Sequence, residues 1–313
     1  MANNNTLYIL ERMPVRYAGN HYHTGATFIE SAGKSYILQN IIDACQHVML
    51  ATRTYQAMRA INFLRALLHM LWMTLTVIPV SLALVALRPF VRHSPAAWHG
   101  WFYRLAAFWL WLAVWGARVL CGVRWRITGL EHIPREGAAV LLAKHQSAWE
   151  TLALPALLPR PLAYVFKREL LRIPFFGWAL GSLDMIHIDR SQRQASVKLV
   201  VSEGRRLLGD GVLVALFPEG TRTARGQQGK YLTSGARLAI ECGVPVIPIA
   251  ITSARCWPPR SFVKTPGVVD MSIGAPIATT GRKGAEVMAE VQQWIEGEML
   301  RLDAPAYAAT PQE

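Results

Sequence analysis

The chain has 313 residues, 52% of them hydrophobic and only 17% charged, with a formal net charge of +13 and a mean hydropathy of +0.21. That length allows one substantial globular domain plus an appendage, and the composition is too apolar for a soluble enzyme and points towards a membrane. The basic excess flanks apolar runs of bilayer length and forms no polar patch, which argues against nucleic acid as partner. The four cysteines, Cys45, Cys121, Cys242 and Cys256, show no C-x-x-C spacing and read as reduced structural thiols of a cytosol-facing protein. No metal-ligand spacing stands out among the histidines, where His21 and His23 are merely i,i+2, so no metal is expected.

Residues 1–57 carry four basic and three acidic groups and lack the apolar run of a signal peptide. They end just before Met58-Arg59-Ala60-Ile61-Asn62-Phe63-Leu64-Arg65, which has the basic start of a membrane-anchored protein. The expectation is that the native chain begins at Met58 or that the extension is dispensable.

Residues 58–126 hold eight arginines, no lysine and no acid, which suits anionic lipid headgroups. Ala66 to Leu87 has no formal charge and as a helix spans roughly 33 Å, the thickness of a hydrocarbon core. Pro79 within it predicts a kink. Phe102 to Leu120 is a second apolar helix, bracketed by Arg104 and Arg118. Seven of the eleven tryptophans fall in this region, as in an interfacial belt. Segment 58–124 is therefore predicted to be membrane-associated. A two-helix hairpin and a platform lying on the surface both fit, buried core helices are the competing reading, and arginines on both flanks leave the orientation open.

From Arg126 the pattern alternates. Strands are predicted near 138–143, 162–167, 185–189, 211–217, 245–251 and 269–274, and helices near 148–157, 192–208, 234–242 and 283–301. Such alternation implies an α/β domain over 125–303 with its site at strand ends, followed by a frayed tail, 304–313.

The most informative segment is Lys144-His145-Gln146-Ser147-Ala148-Trp149-Glu150-Thr151. It follows the apolar strand Ala138–Ala143, and Ser147 onward reads as a helix start. Positions i and i+5 lie about 140° apart on a helix. His145 and Glu150 therefore meet only if His145 sits in the turn and Glu150 in the first helical turn. A strand–turn–helix junction allows this, giving the imidazole and fixing carboxylate of a general base. The competing reading is a capping box, Ser147 with Glu150. A second segment, Leu216-Phe217-Pro218-Glu219-Gly220-Thr221-Arg222, also follows an apolar strand. A glycine, a hydroxyl and an arginine in one turn can bind a phosphate, although Pro-Glu-Gly is also ordinary turn chemistry.

Together these segments resemble the 1-acyl-sn-glycerol-3-phosphate acyltransferase family. The H-x-x-x-x-D motif is matched by His145 to Glu150, with Glu for Asp. The second motif corresponds to Lys167-Arg168-Glu169-Leu170 followed by Ile173-Pro174-Phe175-Phe176-Gly177. The third is Phe217-Pro218-Glu219-Gly220-Thr221-Arg222, and the fourth is Val244-Pro245-Val246-Ile247-Pro248. Ile188-Asp189-Arg190 also fits the pattern, and the likeness covers roughly residues 125 to 280.

The resemblance implies a glycerolipid acyltransferase-like α/β sheet with flanking helices, preceded by an apolar helical membrane anchor. It implies acyl transfer from acyl-coenzyme A or acyl carrier protein, used as co-substrate without a cofactor, to the free hydroxyl of 1-acyl-glycerol-3-phosphate. His145 would be the base and Glu150 its partner. Gly220, Thr221 and Arg222, with Lys167, would bind the acceptor phosphate, and Glu219 would organise the turn. Ser147 is assigned to capping, and the oxyanion to backbone N–H groups near the helix start. The partners implied are a lysophospholipid and a membrane surface, at a bacterial-type inner membrane with the catalytic domain facing the cytoplasm. The alternatives are another acceptor, such as lyso-ornithine lipid, or a non-catalytic lipid-binding protein.

Overall fold

The computed structural model describes residues 26–91, 100–189 and 193–307. His21, His23, Trp98, Arg190 and residues 308–313 lie outside the described residues. Two compact units divide the chain between Ala57 and Met58. In the first, residues 26–57 are helical, with Val48, Met49 and Leu50 exposed. The second holds everything that positions the site.

Helix α1 is continuous over Ala26–Leu87, with Pro79 inside it. From Met58 on, it buries Asn62, Ala66, His69, Val77, Ser81 and Leu84, steps of three, four and eight that keep to one face. The residues left outside include Leu64, Leu67, Leu71, Leu75 and Leu82, so α1 is apolar on both sides. Helix α2, Trp101–Cys121, ends on Gly122. His69 Nε2 lies 2.9 Å from the Ala113 carbonyl, and the Trp72 indole donates to the Leu112 carbonyl at 3.0 Å. These bonds join the two helices, and the His69 ring, fully buried, has its Nε2 satisfied by the Ala113 contact. Both helices are long and apolar enough to cross a membrane.

A seven-stranded sheet follows: β1 Val123–Thr128, β2 Val140–Ala143, β3 Leu162–Lys167, β4 Ile186–Ile188, β5 Leu213–Leu216, β6 Val246–Ile251 and β7 Gly267–Ile273. Its order is β1-β7-β6-β2-β5-β3-β4. Every neighbouring pair is parallel except β6 with β7. Helices α3 Trp149–Leu157, α4 Phe176–Ser182, α5 Arg193–Gly209, α6 Ser234–Cys242 and α7 Gly284–Leu302 flank it, and α8, Ala304–Tyr307, closes the described chain. The chain is an α/β protein.

Successive strand residues point to opposite faces. Leu141, Ala215, Ile247 and Ile249 pack on one side with Trp109, Ala113 and Ala117 of α2 and Trp149 and Leu154 of α3. On the other, Val140, Leu142, Val214 and Val246 meet Leu207 of α5, Leu238 of α6, and Val291 and Ile295 of α7. Burial on both faces is why these strands read as unbroken apolar runs.

Three differences from the sequence reading stand out. Strand β1 was not predicted, because Val123-Arg124-Trp125-Arg126-Ile127-Thr128 alternates charged and apolar residues as an edge strand does. Helix α4, which starts within the second motif, was not predicted either. Residues 304–307 are a helical turn rather than tail.

Candidate active site

Strand β2 ends at Ala143, and Lys144 extends its ladder by donating its N–H to the Ile249 carbonyl at 2.9 Å. The chain then turns through His145 and enters α3 at Trp149, placing Glu150 in the first helical turn. The junction brings His145 Nδ1 to 2.9 Å from Glu150 Oε1. The same oxygen accepts the N–H of Gln146 at 2.6 Å and of Ser147 at 2.5 Å. An acceptor that already takes two N–H groups requires Nδ1 to donate, which leaves Nε2 as the basic nitrogen. One carboxylate oxygen thus holds both the turn and the imidazole, while the Ser147 Oγ accepts from Trp149 and not from Glu150, so only half of a capping box forms.

Ser147 is fully buried, and its Oγ accepts the Trp149 N–H at 3.1 Å. Of the amides near the helix start, those of Gln146, Ser147 and Trp149 are engaged within the turn.

The turn after β5 wraps the same histidine. Phe217 stacks on the imidazole with ring centroids 4.0 Å apart, and Tyr164 stacks on Phe217 in turn. Glu219 Oε1 accepts the His145 N–H at 3.2 Å. Thr223 donates its N–H to the His145 carbonyl at 2.8 Å and its hydroxyl at 3.2 Å. Both main-chain polar groups of His145 are therefore held from the β5 side. Gly220 makes the turn at φ +66° with its N–H on the Phe217 carbonyl, a conformation that disfavours any side chain. Further on, a Cβ at Gly229 would stand 2.8 Å from Thr223 and 2.9 Å from Glu219.

Glu219 is buried. Burial raises its pKa above the usual carboxylate value, while Lys144 and the His145 amide pull the other way. Lys144 is itself fully buried. Its Nζ lies 2.6 Å from Glu296 Oε1 of α7 and 3.5 Å from Glu219 Oε1. The Tyr231 hydroxyl donates to the same Glu296 oxygen at 2.8 Å.

The remaining predicted residues share this edge of the sheet. Because β2, β5 and β3 are parallel neighbours, their C-terminal ends emerge together. The pairs Leu142↔Leu216 and Tyr164↔Ala215 fix the register. Lys167 ends β3, two strand spacings, about 10 Å, from β2. It is exposed and paired with Glu169 at 3.1 Å. Thr221 and Arg222 are exposed on the β5 turn. Helices α3 and α6, which follow β2 and β5, lie on opposite faces of the sheet, the arrangement in which α/β sheets bind ligands between two such turns. His145 and Glu150 are in contact, whereas Lys167, Gly220, Thr221 and Arg222 stand beside them with no bond to either. Among the described residues no cluster of ligating side chains could hold a metal.

Sequence reasoning gave no role to Lys144, Thr223, Glu296, Asp303 or Tyr307. Only Lys144 left a signal, since a lysine continuing a buried strand needs a buried partner.

A family model described as Acyltransferase matches residues 124–252. A 1-acyl-sn-glycerol-3-phosphate acyltransferase from Pseudomonas aeruginosa is 44% identical over 188 residues, covering 60% of this chain and 72% of that protein. The chain belongs to the 1-acyl-sn-glycerol-3-phosphate acyltransferase family. The human 1-acyl-sn-glycerol-3-phosphate acyltransferase alpha is 30% identical over 167 residues, covering 52% of this chain and 58% of that protein. The crystal structure of the 1-acyl-sn-glycerophosphate (LPA) acyltransferase PlsC from Thermotoga maritima superposes with a TM-score of 0.64 at 21% identity. It covers 80% of this chain and 98% of that one. At that identity it establishes the acyltransferase fold alone.

Proposed function

We propose that this protein transfers an acyl chain from a thioester, acyl-coenzyme A or acyl carrier protein, to the free hydroxyl of 1-acyl-glycerol-3-phosphate, giving phosphatidic acid. The observation that carries the reading is the contact between His145 Nδ1 and Glu150 Oε1 at the end of β2, inside a chain of this family. Nε2 takes the proton of the acceptor hydroxyl as its oxygen attacks the thioester carbonyl. The tetrahedral intermediate collapses, the C–S bond breaks, and the imidazolium returns the proton to the leaving thiolate. Glu150 balances the positive charge on the ring. The acceptor is itself the nucleophile, so no acyl-enzyme forms, in keeping with the buried and engaged Ser147. Arg222, with Gly220 and Thr221, receives the phosphate between the two turns, and Lys167 approaches it from β3.

The same proposal places the enzyme on a membrane. The outward faces of α1 and α2 carry Leu64, Leu71, Leu75, Phe108, Trp111 and Trp115, an apolar patch that water does not favour. Helix α2 buries residues along its whole length, those from Trp109 to Cys121 in the core shared with Leu141 and Trp149. This supports a platform seated sideways in one leaflet over a helix that crosses. The cytoplasmic leaflet of a bacterial-type inner membrane fits the arginine excess and the four free cysteines.

The test is an assay of the purified protein in lipid vesicles with labelled acyl-coenzyme A or acyl carrier protein. It is offered lysophosphatidic acid, lyso-ornithine lipid and a neutral lysolipid. Preference for lysophosphatidic acid, abolished by His145→Ala, is expected. Equal use of phosphate-free acceptors would remove the assigned acceptor, and no transfer to any lipid would remove the activity.

A further inference from the structure

We infer that the C-terminal segment is a positioning element of the active site: Glu296, Asp303 and Tyr307 hold the β2 and β5 turns in place around His145. The inference rests on the role proposed above for His145 and adds residues well outside the 124–252 span of the family match.

Three contacts converge from twelve consecutive residues of α7 and α8. Glu296 takes the Lys144 ammonium at 2.6 Å. Asp303 takes the Arg225 guanidinium through two bonds of 2.7 Å and lies 3.4 Å from Arg255. The Tyr307 hydroxyl accepts from Gln146 Nε2 at 3.2 Å. Lys144 and Gln146 are the two sequence neighbours of His145. Arg225 lies two residues beyond Thr223, whose N–H holds the His145 carbonyl. Lys144 through Glu296, Gln146 through Tyr307, and the β5 turn through Arg225 and Asp303 are therefore all tied to this segment.

The chemistry of Lys144 shows why the contacts matter for more than cohesion. A fully buried ammonium requires a carboxylate, and two stand near it, Glu296 and Glu219. Glu296 is the closer at 2.6 Å, while Glu219 Oε1 stands 3.5 Å from Nζ and accepts the His145 N–H at 3.2 Å. With Glu296 neutralised, Glu219 becomes the sole carboxylate at Nζ. Drawing it there withdraws it from the His145 amide and lets the imidazole drift from its working position. The contacts fall on the two sequence neighbours of the base and on the turn that holds its main chain, so kcat is the parameter that should respond.

The experiment measures kcat, both KM values and Tm for Glu296→Gln, Glu296→Asp, Asp303→Asn and Tyr307→Phe in the full chain. Acyl-coenzyme A and lysophosphatidic acid in mixed micelles are the substrates. His145→Ala and Val291→Ala are measured alongside, Val291 being buried in α7 with no polar contact to the turns. Glu296→Gln is expected to lower kcat about 10- to 100-fold with both KM values within about twofold. Glu296→Asp should recover part of the loss, and Asp303→Asn and Tyr307→Phe should lose several-fold. Val291→Ala should lower Tm and leave kcat below the transition unchanged. Native kcat in Glu296→Gln, or an equal kcat loss in Val291→Ala, overturns the inference. Should Glu296→Gln not fold, Tyr307→Phe, which removes a single oxygen, decides by the same criterion. An active His145→Ala would instead remove the reading on which the inference rests. A dead His145→Ala beside a fully active Glu296→Gln would remove this inference alone.

Discussion

One oxygen of Glu150, Oε1, accepts the imidazole Nδ1–H of His145 and the backbone N–H groups of Gln146 and Ser147. Turn geometry and base orientation are thereby tied to a single atom, and a substitution there can separate shape from charge. The amide oxygen of Glu150→Gln can still accept all three N–H groups, so the fold and Tm should be nearly unchanged. What disappears is the negative charge opposite the imidazolium, and most of the activity should go with it. Glu150→Asp keeps the charge and should retain substantial turnover. A Gln variant with normal kinetics would leave Glu150 a capping residue only.

His145→Ala should lower turnover by about 10²–10⁴-fold, the usual contribution of a general base. The side chain is only slightly exposed and carries no structural hydrogen bond except that to Glu150, so the variant should fold. Circular dichroism and single-turnover assays check both halves. More than half of the native activity in a folded variant would refute the mechanism.

Arg222→Ala should mainly raise KM for a phosphate-bearing acceptor and leave that of the donor little changed. Loss of a charge-assisted contact costs about 1.5–3 kcal/mol, or roughly ten- to hundredfold. An effect confined to the donor would move Arg222 to the coenzyme or carrier side of the site.

The membrane seat is best probed by surface charge. Removing residues up to Arg124 would uncover Leu141 and Trp149, which α2 covers, and would confound anchoring with folding. Leu71 and Leu75 are more than half exposed on α1, and Leu71→Glu with Leu75→Glu should leave Tm unchanged. Vesicle flotation and the rate on bilayer lysolipid should both fall, while the rate on a short-chain soluble acceptor stays at the native level. Full flotation of the double variant would contradict the assigned face.

Burial raises the Glu219 pKa above its ordinary 4.5. Because the folded state holds this proton more tightly than the unfolded chain, the contribution of Glu219 to stability is full below pH 4.5 and declines as pH rises through the folded value. Melting curves across that range should show a decline that is flatter in Glu219→Gln. Parallel curves for the two proteins would show that Glu219 does not titrate differently on folding.

Much of this protein is written locally in its sequence. Burial on both faces turns β2, β5 and β6 into apolar runs that can be read without partners. His145 and Glu150 are five residues apart, so one strand–turn–helix junction suffices to bring them together. Gly220 likewise announces its turn through its own backbone freedom. Strand β1 escaped because an edge strand alternates like any exposed segment, and only its pairing with β7, some 144 residues away, makes it part of the sheet. Composition identified α2 as apolar but could not say that one side of it belongs to the core beneath Trp149, since lipid and protein interior select the same side chains. Lys144 and Glu296 mark the limit most sharply. They are 152 residues apart, and nothing in the sequence of α7 separates Glu296 from Glu298, which pairs with the exposed Arg301 of the same helix. The path of the chain brings that one carboxylate to a buried ammonium, and the cost of leaving the ammonium unpaired makes the contact obligatory once the fold has formed.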